Sequence, residues 1–286
     1  MASLSPILFV IRPPKHVKNR YKCMSAKIYK KSIKTIFRSP VTWIGFIAVL
    51  AVFARLVAKE PMEATTYNFH KALAGYASSV LELAVPIFIS VIASVDILND
   101  GKKRFKDIVS ISGVSQLKYY CSTICAYISV GFAVSFALSF AYFVIRFFQY
   151  DMLKGIDYSL AESLWMLAVR WFAYSMAVIP VYVSLSVCAS LLCRSSIPGI
   201  VLPTAYIFIR YLPIDAIRID GNFLCDYVYH LPEKILLFFY FFHTKARQAA
   251  IIHVGISEVV LSYTILACIC VVLLTAGYLA YRKQTD

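Results

Sequence analysis

Apolar residues in this chain come in long unbroken runs, not in alternation, and the polar positions gather between the runs. Crossing about 30 Å of hydrocarbon takes about 20 helical residues. That length picks out six candidate spans: Val41–Val57, Gly75–Ile97, Leu117–Ile145, Ser163–Cys193, Ile197–Leu212 and Ile256–Tyr281, of which the first and fifth are short. In hydrocarbon a backbone amide must be satisfied within its own helix or in a closed barrel, and continuous apolar runs suit helices. The pattern predicts an all-α polytopic membrane protein of six transmembrane helices forming a single domain over residues 1–286. Residues 1–40 make a basic arm with an interfacial helix, and residues 41–286 make the six-helix bundle.

Two polar stretches have a pattern of their own. From Tyr21 to Arg38, Lys27, Lys30, Lys31, Lys34 and Arg38 share one side of a helix, while Tyr21, Met24, Ile28, Ile33 and Phe37 fall elsewhere. A basic amphipathic helix just before a span is expected to lie in the membrane interface, with its lysines near anionic headgroups. Between the fifth and sixth spans, residues 211–255 contain the apolar run Ile235–Phe242, too short to cross. It reads as a re-entrant or interfacial helical segment whose ends need protein or water.

Composition supports lipid as the solvent: 60% of the residues are hydrophobic and the mean hydropathy is +0.71. The formal charge of +14 could point to nucleic acid, but the basic residues sit beside apolar runs and form no separate basic domain. Their distribution orients the bundle instead. Ten lie between Arg12 and Arg38, five in the second loop (Lys102, Lys103, Arg104, Lys106, Lys118), and Arg194, Arg282 and Lys283 fall on the same side. Nine are spread over the longer segments of the other side. The expected arrangement is a cell-membrane protein with both termini cytoplasmic. No small-residue cleavage site follows the short apolar stretch Ile7–Ile11, so no cleaved signal peptide is expected. Most cysteines lie in or beside spans, where a small side chain packs, and no disulfide framework is expected.

Candidate chemistry is sparse. No GxxxxGK[ST] loop occurs, no HExxH spacing and no GxSxG elbow, so no catalytic, metal or cofactor site is expected on this chain. Charges at membrane depth are the better clues, since they normally face a cavity, a partner or an interface. Arg55 and Glu82 are expected near the external ends of the first two spans, anchoring them within reach of water. Asp96 is expected to pair with the nearby basic cluster at the inner end of the second. Arg170 stands about two turns inside the fourth, among Trp165, Trp171 and Tyr174, where cation–π contact or a headgroup phosphate would satisfy it. Pro86, Pro180 and Pro203 each remove an amide donor from a span. Glu82, Pro86, Arg170 and Pro203 are the candidates for a substrate path or gate.

The segment Asp96-Ile-Leu-Asn-Asp-Gly101-Lys-Lys-Arg-Phe105-Lys-Asp-Ile108-Val-Ser-Ile-Ser-Gly113-Val114-Ser115, together with the ending Gly277-Tyr-Leu-Ala-Tyr281-Arg282-Lys283, resembles the ABC transporter type-2 permease family. Gly113-Val114-Ser115 stands where the family often has Pro-Val-Ser, and Lys102-Lys103 replaces the usual Thr-Leu. The resemblance implies a membrane-spanning subunit of an ATP-driven exporter that moves a hydrophobic or amphipathic cargo such as a peptide. It also implies partner cytosolic ATPase subunits holding ATP and Mg, and a second permease copy or a similar chain. Gly101, Lys102, Lys103, Phe105, Lys106, Ile108, Val109 and Gly113 would then form the ATPase-coupling helix. Phe105, Ile108 and Val109 give it a small apolar patch among basic residues, a pattern that a loop lying on headgroups would equally suit. Two other readings stay open: an ion-coupled carrier or channel, and an immunity membrane protein that binds peptides without moving them.

Overall fold

The structure, a computed structural model, describes residues 15–59, 76–103, 115–149, 164–211, 231–233, 235–236 and 255–285. Within them every element is helical: α1 (Lys15–Arg38), α2 (Pro40–Lys59), a π-helical stretch (Ala77–Ala84) running directly into α3 (Val85–Lys103), α4 (Gln116–Gln149), α5 (Leu164–Cys193), α6 (Ser196–Tyr211) and α7 (Ile256–Thr285). Five helices contain stretches long and apolar enough to cross a membrane: Pro40–Ala58, Ser79–Asn99, Gln116–Ile145, Val169–Cys193 and Ile256–Lys283. The expected fifth span, Ile197–Leu212, falls on the shorter apolar helix α6, of which 16 residues, Ser196–Tyr211, are described.

Burial orders the bundle. α3 and α5 pack against each other at the centre, α5 also touching α4, α6 and α7, and α3 touching α2, α4 and α6. The outer faces of α2 and α7 are apolar and uncovered, with Ile44, Ile47, Val271 and Val272 all more than 60% exposed. A soluble protein would not leave such faces in water, whereas lipid solvates them without cost.

Helix α1 carries nine basic residues and no acidic one. Ile28, Ser32 and Ile36, four apart, form its buried stripe, and the helix packs along α4. Lys27, Lys30, Lys31, Lys34 and Arg38 remain exposed, the basic face that the periodicity predicts. Phe37 falls on the exposed side, next to the exposed Trp43. The joint to α2 is tight: Ser39 N–H donates to the Ile36 carbonyl at 3.1 Å, and the Trp43 indole donates to the Phe37 carbonyl at 2.9 Å. Pro40 then opens α2 at a position whose amide would have no helical partner anyway.

Tyrosine hydroxyls tie α7 to the bundle. Tyr263 donates to the Ala173 carbonyl of α5 at 2.8 Å, and Tyr120 of α4 donates to the Leu274 carbonyl at 3.1 Å. Tyr120 reaches that carbonyl across Gly277, where a Cβ would lie 2.6 Å from the phenol oxygen.

Helices α5 and α6 form a hairpin closed by Arg194, whose φ of 53° puts it in the left-handed region. Ser195 N–H returns to the Ser190 carbonyl at 3.2 Å, and the Ser195 hydroxyl accepts from Ile197 N–H at 3.3 Å, capping α6. A side chain in this conformation costs about 1–2 kcal/mol that glycine avoids. Arg194→Gly should therefore leave the melting temperature in detergent unchanged or higher, and Arg194→Val should lower it; thermal unfolding of the two variants beside the parent checks this.

Candidate functional site

The polar groups of the core gather along the α3–α5 axis. Pro86 has no N–H to give to a carbonyl one turn back, and the chain meets this by widening its hydrogen bonding just before it: Val85 N–H reaches the Val80 carbonyl, five residues away. Within that π-helical stretch Glu82 is fully buried. The sequence reading placed Glu82 near the end of its span and within reach of water; in the folded bundle the carboxylate is enclosed by protein.

An aromatic cluster closes this end of the axis. The rings of Tyr76 and Tyr142 stack at 4.3 Å, Trp171 lies 5.7 Å from Tyr76, and Phe53 meets both tyrosines edge-on. The Tyr76 hydroxyl and Ser139 Oγ are hydrogen-bonded at 3.0 Å, and one turn further along α4 Ser135 bonds Ser175 of α5 at 2.9 Å. Arg170, beside Trp171, is half-buried at the same end.

Towards the Arg194 end, Ser90 and Ser94 continue the four-residue spacing set by Glu82 and Pro86, and Ser186 and Ser190 repeat it on α5. All four serines are fully buried. Ser94 donates to the Ser90 carbonyl at 2.6 Å, while the hydroxyls of Ser90, Ser186 and Ser190 have no hydrogen-bond partner among the described residues. Their small size lets α6 approach. A Cβ on Gly199 would collide with Ser190 Oγ and Ser94 Oγ and would sit 2.6 Å from the Ser186 carbonyl oxygen. Pro203, one turn beyond Gly199, is buried as well. Glu82, Pro86 and Arg170 thus belong to the aromatic end of the axis, and Pro203 to the other half.

The expected coupling segment is seen only at its edges. Gly101, Lys102 and Lys103 are the last residues of α3, which runs through Asp96 without a break. Phe105, Lys106, Ile108, Val109 and Gly113 lie outside the described residues. Ser115 begins the structure again and caps α4, its hydroxyl accepting from Lys118 N–H at 3.4 Å. Asp96 is buried near the end of α3.

One further acid escaped the sequence reading. Glu233, 1% exposed, accepts a hydrogen bond from the Tyr206 hydroxyl of α6 at 3.0 Å. It lies within electrostatic reach of Cys270 on α7, whose thiol is hydrogen-bonded with Ser184 of α5. Of the apolar run Ile235–Phe242, only Ile235 and Leu236 are described, and Leu236 is fully buried.

In comparisons with known proteins, no family model, no curated protein and no solved structure matches this chain.

The Gly199 crossing gives the most direct test of the axis. Gly199→Ala should lower stability by about 1–3 kcal/mol through overpacking, because one of the obstructing atoms is backbone and cannot rotate away. Ser190→Ala, which removes a buried hydroxyl without a partner among the described residues, should be neutral or mildly stabilising. Thermal unfolding in detergent separates the two.

Proposed function

We propose that this chain is the membrane-spanning subunit of an ATP-driven exporter of the ABC type-2 kind, set in the cell membrane with both termini in the cytoplasm. Two copies, or this chain and a similar one, enclose a path for a hydrophobic or amphipathic cargo such as a peptide. Separate cytosolic ATPase subunits hold ATP and Mg and drive it. The observation that carries this reading is the short basic link between α3 and α4. Only about a dozen residues separate Lys103 from Gln116, and they hold Phe105, Ile108 and Val109 among lysines and arginines. A motor gripping that link would act on α3 and α4, the two helices that it joins. Helix α1, packed along α4, stands on the same shaft.

A second reading has one specific observation in its favour. Full burial of Glu82 in a π-helical stretch, with Ser90 and Ser94 below it on α3, is the arrangement an ion-coupled carrier would use, since intramembrane acids and irregular helices mark ion paths. Nothing in the bundle separately favours a peptide-binding immunity protein, whose expected surface, residues 211–255, lies almost wholly outside the described residues.

Co-purification and vesicle transport distinguish these readings. Under the first, the tagged chain brings down an ATPase, and Phe105→Asp with Ile108→Asp abolishes ATP-dependent transport while the chain still reaches the membrane. Transport that needs an ion gradient and ignores ATP would favour the second.

A further inference from the structure

We propose that the outward face of α1 is a binding surface for anionic phospholipid headgroups, selecting them over zwitterionic ones in the leaflet on its side of the bundle. This rests on the membrane reading alone and holds for an exporter or a carrier.

The two sides of α1 have different work. Ile28, Ser32 and Ile36 are buried, and the helix packs along α4, so its apolar stripe is spent on protein and not on acyl chains. At 100° per residue, Lys27, Lys30, Lys31, Lys34 and Arg38 fall within an arc of about 100° on the opposite side, over about 16 Å of helix axis. All five are exposed. No acidic residue occurs anywhere from Lys15 to Lys59, so neither α1 nor α2 supplies a counter-charge to this face. What the docked helix offers outward is therefore concentrated positive charge, and its partner is polyanionic.

The end of the basic face decides which polyanion. Only Ser39 separates Arg38 from α2, a helix long and apolar enough to cross a membrane. Phe37 and Trp43, 47% and 53% exposed, stand on either side of that joint. The Trp43 indole N–H is already satisfied by the Phe37 carbonyl, so the exposed part of the ring asks for no polar partner. Ile44 and Ile47 continue the same uncovered apolar surface along α2. A nucleic acid or an acidic protein would match the lysines and leave these rings in water. An anionic leaflet matches both, with phosphates against the lysines and the acyl-chain boundary against Phe37 and Trp43. Four of the five cations are lysines, compact point charges on flexible stems that suit mobile lipid phosphates better than one fixed bidentate ligand.

The test uses the full-length protein in nanodiscs of phosphatidylcholine, alone or mixed with phosphatidylglycerol. Lysines are acetylated with an uncharged N-hydroxysuccinimide ester and read by peptide mass spectrometry. Lys27, Lys30, Lys31 and Lys34 should label several-fold more slowly in the anionic discs, and high salt should shrink the difference. A second measurement is the lipid retained by protein purified from mixed micelles of the two phospholipids. The parent should retain phosphatidylglycerol several-fold in excess of its share. Lys30→Gln, Lys31→Gln and Lys34→Gln together should bring that ratio close to one, and arginine at the same three positions should keep it. Arg282→Gln with Lys283→Gln, also exposed and basic, should keep most of it. Equal labelling in the two kinds of disc overturns the proposal, as does a triple glutamine variant with undiminished enrichment. Lysines protected by added RNA in phosphatidylcholine discs, and not by phosphatidylglycerol, would assign the face to nucleic acid and overturn it too. The labelling is read on the unaltered chain, so it decides even where a variant fails to fold. No ATPase is present, so failure here is distinct from failure of the exporter reading.

Discussion

Hydrocarbon offers no hydrogen-bond partner, and the arrangement of this bundle follows from that constraint. Each long apolar run closes its backbone on itself as a helix. The helices that keep lipid on one side, α2 and α7, are apolar there, and the residues that cannot face lipid are drawn to the α3–α5 axis. Glu82, Ser90, Ser94, Ser186 and Ser190 are all fully buried on that axis. Serines and glycines serve packing at the same time, because their small size permits the α6 crossing at Gly199. Polarity and close approach are thus two consequences of one choice of residue.

The same constraint gives meaning to the irregular places. Pro86 cannot donate, and the π-helical stretch before it is where the backbone adjusts. The described part of α6 ends at Tyr211, and Glu233 meets that helix through the Tyr206 hydroxyl. Glu82 lies within the π-helical stretch, and both acids are buried. Three acids, Glu82, Asp96 and Glu233, are buried among the described residues.

Much of the fold could be read from the sequence, and the reason is again solvent. The expected spans Val41–Val57 and Leu117–Ile145 lie inside Pro40–Lys59 and Gln116–Gln149, and Ser163–Cys193 differs from Leu164–Cys193 by one residue. Hydropathy over a window of about 20 residues measures the very property that lipid selects. The basic face of α1 was legible from its period, but its packing along α4 was not, because a hydrophobic stripe does not say whether it meets lipid or protein. Burial of Glu82 was misjudged for a similar reason: distance along a helix gives depth and not which side it faces. Glu233 was invisible, since a connecting segment of mixed polarity carries no span signal. The spacing of Ser90 with Ser94, and of Ser186 with Ser190, was the one available sign of a polar stripe.

The packing of α5, α6 and α7 around one interior is the frame on which the proposed function stands. Its least expected feature is Glu233, buried against α6 and close to α7. Glu233→Cys in a chain that keeps Cys270 as its only native cysteine tests this directly, using a short thiol-to-thiol linker and proteolysis between the two positions. The account predicts that the fragments stay joined and that the new thiol resists a membrane-impermeant maleimide. Fragments that separate, with rapid maleimide labelling of that thiol, would contradict it.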